Sequence, residues 1–372
     1  MYFYKRLFGV SCYCISLLIF FGIIYNNKYK SLSKILNKYK LILCIMAFAF
    51  VPATTADLFR IFNQMAELSK QNINEIFGIM QKTTTPISIL YYYLIGKTGI
   101  KELLPTITTF LVCTNIFYII RDYSLKNNIN CKIIAISLAF VMSTGFFMEL
   151  ISNIRDILAF SILARCFYDE FYNKRKIYKN VIFYILAFLI HASAIALICL
   201  RVLYYLLFEN QKKIVSKIIL IGIATCVVIY FKFYFLKAYN KFLMFSQNEI
   251  YFWIWEFIKT IFENIACLLI LMKQKKYNRQ NPDCKNKSYT FNFMIWLFAM
   301  LNITEYSMFL RFSYFNVFMI IPTLLETMKQ YAKNKEVLKI KYGYSTEIII
   351  FCIILLTISC TRGDLSSLKF FN

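Results

Sequence analysis

One histidine and two arginines stand where an apolar chain rarely keeps such groups. His191 is the only histidine and lies inside the run FYILAFLIHASAIAL; Arg155 opens one apolar helical stretch and Arg311 falls between two others. Ionisable side chains are costly in hydrocarbon, so those retained there are candidates for chemistry. Arg155 is placed in the first turn of its helix, where the macrodipole is already positive and disfavours its charge by a few tenths to about 1 kcal/mol. An anion at that point would meet both the guanidinium and the free backbone N–H groups. Arg311 offers a second planar fork, and two such forks suit a phosphate or diphosphate better than two lysines would. A lone imidazole is a poor metal centre but a serviceable base or donor near neutral pH.

Each residue also has a structural reading. These are an ion pair of Arg155 with Asp156 or Glu149, snorkelling of Arg311 to headgroups, a backbone partner for His191, and an N-cap role for Asp57. Arg165, Arg201 and Lys259 lie within apolar stretches and are open to structural use. Trp253 and Trp255 read as an interfacial anchor.

The elements that must position these groups follow from composition. The chain has 372 residues, 59% of them apolar, with a mean hydropathy of +0.57. That composition indicates a single all-α, polytopic transmembrane bundle over residues 1–372 in place of soluble domains. The net charge of +24 is carried in short clusters between apolar runs, as topology signals are, so no nucleic-acid partner is expected. The nine glycines are dispersed, which removes a Walker or Rossmann phosphate loop. Twelve cysteines stand singly in apolar segments and read as reduced packing residues, so neither a disulfide frame, a metal nor a cofactor is expected.

Runs long enough to cross appear at 7–25, 39–56, 102–120, 131–148, 154–171, 214–232, 252–272, 291–309, 312–329 and 346–361. The first is read as a retained span. The run 180–208 is too long for one comfortable span. It is flanked by Lys174, Arg175, Lys176 and Lys179 before and Lys212, Lys213 and Lys217 after, so both ends belong inside and the run becomes a hairpin with its turn near His191. About 12 spans result (roughly 10 to 13). The loops 26–40, 121–132, 172–179, 209–217, 273–290 and 329–341 face inside with most of the 43 Lys and Arg. An outer loop covers 57–101, with an amphipathic helix around 57–80 resting apolar residues Phe59, Phe62, Met65, Ala66 and Ile73 on the membrane surface. The segment 84–100 reads as re-entrant or interfacial. In this topology Asp57, Arg60, Glu149, Arg155, Asp156, His191, Glu305 and Arg311 all fall at outer ends.

The core signature 149–197 overlaps the run SNIRDILAFSILARCFYDEFYNKRKIYKNVIFYILAFLIHASAIALI, residues 152–198. It resembles EpsG-type and Wzy-type polysaccharide polymerases in its Asn and Arg where a helix opens, its basic turn and its H-x-S-A hairpin. Asn153, Arg155, His191, Ser193 and Ala194 take those positions. Looser matches are Asp57, Pro86, and Arg311 with Tyr314 before a span containing Pro322. Asp156 departs from the Gln common in the family, Ala192 from Lys or Pro, and Leu58 and Ile61 from tyrosines. The resemblance implies a multi-pass glycosyltransferase of the bacterial cytoplasmic membrane. It would join repeat units carried on undecaprenyl diphosphate at the outer face into a capsule, exopolysaccharide or O-antigen, among membrane lipids and with a chain-length regulator protein. Arg155 and Arg311, with Asn153 and Arg60, would hold the diphosphate. His191 would be the acceptor base or a diphosphate donor, with Glu149 and Asp57 as other bases. A lipid-linked oligosaccharide flippase, an O-antigen ligase and a membrane O-acyltransferase are the alternatives.

Overall fold

Backbone groups in an apolar run that water cannot reach are satisfied most simply within their own helix, and every regular element among the described residues is helical. The computed structural model describes residues 2–26, 31–52, 56–209, 222, 250–280, 288–338 and 344–361. In chain order the helices are α1 (Tyr2–Tyr25), α2 (Leu32–Ala49), α3 (Asp57–Leu68), α4 (Ile73–Gln81), α5 (Pro86–Gly96), α6 (Leu103–Lys126), α7 (Cys131–Ser143), α8 (Phe146–Ser152) and α9 (Ile154–Tyr172). They continue with α10 (Val181–Ile190), α11 (Ala194–Tyr204), α12 (Ile250–Gln280), α13 (Ser288–Leu301), α14 (Tyr306–Leu338) and α15 (Tyr344–Thr361). The expected span 214–232 apart from Gly222, the loop 209–217 beyond Glu209 and residues 281–287 lie outside the described residues.

Helix α6 packs between α2 and α9, α14 packs against α12 and α13, and α7 lies against α1 and α15. The core between them is aromatic, with Phe160 stacked near Phe312 and Phe167 edge-on to both Phe291 and Phe315. Among the described residues four helices are long and apolar enough to cross a membrane: Phe8–Tyr25 of α1, α6, Tyr306–Ala332 of α14, and α15. A fifth is added if α7 and α8 form one bent span. Among the described residues the expected count of about twelve is not reached on this measure. Helices α2, α9 and α12 have the length but carry charges such as Lys34, Lys38 and Lys40, Arg155 and Asp156, or Glu256, Lys259 and Glu263.

The expected span 131–148 is broken. Gly145 has φ +78, a left-handed conformation that glycine adopts without a Cβ clash, and α8 leaves α7 at 49°. That bend, followed at once by the α8–α9 joint at Asn153, brings Glu149 and Asp156 to one end of the bundle's centre. The 180–208 hairpin is present. Asn180 before α10, Tyr184 in α10 and Arg201 in α11 all contact Glu170 near the end of α9. The turn between the two limbs, at His191, instead meets Asp156 at the start of α9.

Charge is sorted along the bundle. At the end holding Glu170, Arg121 donates to Ser33, Lys126 to Asn173 and Lys329 to the Asn127 carbonyl, while Lys273 pairs with Glu347. The described parts of the loops expected inside therefore meet at this basic end, and the His191 turn lies at the other.

The 57–101 segment folds as three short helices. The buried face of α3 is Leu58, Ile61, Phe62, Met65 and Leu68, an i, i+3, i+4, i+7 pattern. It is turned from the expected one, since Ala66 and Ile73 are exposed and the apolar stripe packs on α5. Asn72 and Glu75 form a capping box that restarts the chain as α4. Helix α5 opens with Pro86 at its N-terminus. Its eleven residues span about 16 Å, half of a hydrocarbon core of about 30 Å, and it packs on α3, α4 and α10.

One correction bears on the site. The break between the last two core helices lies at 302–305, so Arg311 is inside α14 and not in a turn. Glu305 caps α14 instead, accepting the Met308 N–H at 2.6 Å.

Candidate active site

A carboxylate buried among apolar helices must find partners or cost several kcal/mol. Asp156, in the first turn of α9 and 6% exposed, has two. Its Oδ1 lies 2.6 Å from Nε2 of His191 and its Oδ2 lies 2.7 Å from Nε of Arg311. Three elements thus converge on one side chain: the start of α9, the hairpin turn and the first two turns of α14.

The turn at His191 has a local cause. Ile190 ends α10, His191 adopts an extended backbone, and α11 begins three residues later. The Ser88 hydroxyl of α5 donates to the Ile190 carbonyl at 2.7 Å, fixing the turn from outside. Within it, Nδ1 of His191 lies 2.6 Å from the Ser193 hydroxyl and accepts the Ser193 backbone N–H at 3.3 Å. Nδ1 is thus engaged within the turn, and Nε2 is the ring nitrogen that lies against Asp156. The order Asp156–His191–Ser193 has the members of a hydrolase triad. Ser193 is 2% exposed, however, and held two residues from the ring that would activate it, which denies it a substrate.

The two arginines are left available in different ways. Arg311 reaches Asp156 through Nε, and its guanidinium has no other hydrogen-bond or ion-pair partner among the described residues. Arg155 forms no hydrogen bond or ion pair with any described residue, yet its charge acts on Asp156 and on the hydroxyl of Tyr92. The Tyr92 hydroxyl is buried and likewise without a hydrogen-bond partner among the described residues. The alternative pairing of Arg155 with Asp156 or Glu149 does not form: His191 and Arg311 take the Asp156 carboxylate, and Glu149 accepts from Asn153.

Glu149 belongs to a second, deeper group. It accepts from Asn153 and faces the hydroxyl of Tyr314, which accepts from Lys259 at 3.0 Å. Lys259 pairs with Glu256 at 2.8 Å, and Glu263 is fully buried alongside. The groups are linked through two helices, since Asn153 caps the N-terminus of α9, which carries Asp156, and Tyr314 follows Arg311 by about one turn on α14. Asp57 and Arg60 are not brought in: they pair with each other on the exposed side of α3, 51% and 74% exposed, and form no ion pair with Asp156, His191 or Arg311. Asp57 is the first residue of its helix and not its cap.

Two residues within apolar stretches prove structural. Arg201 pairs with Glu170 at 2.8 Å, and Arg165 donates to Asn115 at 3.2 Å while lying over Tyr118. Sequence reasoning placed Asp156 at the outer end without giving it a role in the site, and it missed Tyr92. Asp156 was visible as a carboxylate opening an apolar helix beside an arginine, where a partner across the bundle was required. Tyr92 gave no sequence signal among so many tyrosines.

The arrangement is two guanidinium groups with free donors beside a fixed carboxylate and imidazole. It can bind an anion with two phosphate-like centres and present a proton acceptor next to it. A family model described as the EpsG family matches residues 59–370. No curated protein and no solved structure matches the chain.

Proposed function

Because this chain belongs to the EpsG family, a family like the Wzy-type polymerases, and is a membrane protein of polysaccharide polymerase type, we propose that its far-end site transfers glycan between lipid diphosphates. The observation that carries this reading is the Asp156 carboxylate shared by His191 and Arg311, with the unpaired Arg155 one residue away.

The donor is an oligosaccharide on undecaprenyl diphosphate. Its phosphate oxygens take the terminal nitrogens of Arg311 and the guanidinium of Arg155, each in a bidentate charge-assisted contact. An acceptor-sugar hydroxyl attacks the anomeric carbon, the bond from that carbon to the phosphate oxygen breaks, and the negative charge that develops on the leaving diphosphate is stabilised by both arginines. The hydroxyl proton passes to the Asp156–His191 pair. Asp156 is the oxygen acceptor nearest both cations, and His191 keeps it oriented. His191 is thus a positioning partner in this reading, since both ring nitrogens are engaged. Glu149, with Asn153 and Tyr314, fixes the α8–α9 joint from which Arg155 projects.

The basic end faces the cytoplasm under the positive-inside rule, which puts the site at the outer face of the bacterial cytoplasmic membrane. About twelve spans and a chain-length regulator partner complete the expectation.

The test is the fate of lipid-linked intermediates in cells carrying Arg155→Ala, Asp156→Asn or His191→Ala. Single repeat units on lipid diphosphate at the outer leaflet, without polymer, support the reading. Units held at the inner leaflet would assign the chain to flipping, and polymer lacking only acyl groups would assign it to acyl transfer. Polymer left free of its final acceptor would assign it to ligation.

A further inference from the structure

The sequence reads as twelve cysteines standing singly, and the fold brings two of them together. Sγ of Cys14, in the middle of α1, lies 3.7 Å from Sγ of Cys360, in the last turn of α15. They sit on the first and last described helices, 346 residues apart in the chain. Both are half-buried, and their helices expose Ile15, Leu18 and Ile353 at the edge of the bundle.

The course of α15 sets their depth. This helix starts at the basic end, where Lys273 pairs with Glu347 and lies over the ring of Tyr344. Cys360 lies about 24 Å further along, one residue from the end of the apolar span. The thiol pair therefore belongs to the half of the bundle away from the basic end. Disulfides persist on the oxidising side of a cytoplasmic membrane and are reduced in the cytoplasm.

Cys14 also stands beside a strut on the broken span. Its neighbour Tyr13 is fully buried, donates to the Met142 carbonyl of α7 at 2.6 Å and stacks on Phe147 of α8 at 5.6 Å. Tyr13 thus touches both arms of the bend at Gly145, the bend that delivers Glu149 to its place. Helix α7 packs against both α1 and α15.

We propose that Cys14 and Cys360 form a disulfide that straps α1 to α15 across α7 and holds the Gly145 bend. The S–S bond forms as each thiol gives up one proton and one electron. A lipid-soluble quinone takes both protons and both electrons and leaves as the quinol. The sulfurs close from 3.7 Å to about 2.0 Å, which asks each side chain to move by less than about 1 Å. Half-buried thiols at a lipid-facing edge are within reach of an oxidant dissolved in the bilayer. The inference does not rest on glycosyl transfer, and either can fail alone.

The experiment is differential alkylation of the full-length protein in membranes treated with duroquinone, read by peptide mass spectrometry. Free thiols are blocked with N-ethylmaleimide in dodecyl sulfate, the sample is reduced, and the thiols released take iodoacetamide. Iodoacetamide should mark Cys14 and Cys360 together, and an unreduced digest should contain their linked peptides. Cys360→Ser should leave Cys14 with the maleimide, and Cys14→Ser should do the same for Cys360. Amide exchange at 143–147 should quicken several-fold when the oxidised wild type is reduced. Maleimide on both thiols of the wild type after quinone treatment would overturn the proposal, as would linkage of either one to Cys12 or Cys352. Unchanged exchange on reduction would overturn the strap. The wild-type measurements decide the matter even where a serine variant fails to fold.

Discussion

Oδ1 of Asp156 lies 2.6 Å from Nε2 of His191, tying the first turn of α9 to the turn of the α10–α11 hairpin. The same carboxylate reaches Nε of Arg311 through its other oxygen, so one buried acid orders a turn, a helix and the donor fork of a second helix.

Asp156→Ala leaves a histidine and an arginine facing each other with no charge between them. Removing one partner of a wholly buried pair costs about 3–5 kcal/mol. Arg311 is 32% exposed, so the expected loss is smaller, about 2–3 kcal/mol. Unfolding of the purified protein in detergent measures it, and wild-type stability in the variant would mean that the three groups do not depend on one another.

Arg155→Ala removes a side chain with no hydrogen bond or ion pair to a described residue, so stability should stay within about 0.5 kcal/mol of wild type. Polymer formation in cells should nevertheless be lost. Arg155→Lys keeps the charge but not the fork, and is expected to restore less than about a tenth of activity. Full activity in the lysine variant would show that only a point charge is used.

Glu170→Ala tests the hairpin's other anchor. Arg201 is 3% and Glu170 1% exposed, and Asn180 and Tyr184 also donate to this carboxylate. Loss of about 3–5 kcal/mol is expected, seen as a lower yield of folded protein in membranes. Unchanged yield and melting would mean that both limbs of the hairpin are held elsewhere.

Orientation is read by labelling single cysteines on intact cells with a membrane-impermeant maleimide. Ala192→Cys, at the hairpin turn, should label from outside. Lys176→Cys, exposed at the basic end, should label only after permeabilisation. The reverse pattern would put the site in the cytoplasm.

Much of this architecture is legible in the sequence for one reason: lysines and arginines cluster by face. Charge alone placed both ends of 180–208 together, and in the structure both limbs return to Glu170. Periodicity was less informative where a helix is broken by a single residue. Gly145 bends the 131–148 run through its left-handed backbone, and nothing in the apolar pattern marks that position. The α13–α14 break at 302–305 was equally hidden, because Arg311 looked like the turn when it was a helix residue held by an acid across the bundle. His191 and Arg311 were expected in one pocket and do share a partner. That this partner is Asp156 depends on tertiary packing, which residue spacing does not encode. Asp57 and Arg60 show the opposite case: their i, i+3 spacing on α3 satisfies them locally, and no contact with the site is required.

The measurement closest to the central claim is turnover by the purified protein in vesicles supplied with a lipid-diphosphate-linked repeat unit. Wild type should lengthen the glycan and release free lipid diphosphate, and the double variant Arg155→Ala/Arg311→Ala should do neither while melting with the stability of its Arg311→Ala parent. Equal product from the double variant would contradict the assignment of the two guanidinium groups to the lipid's phosphates.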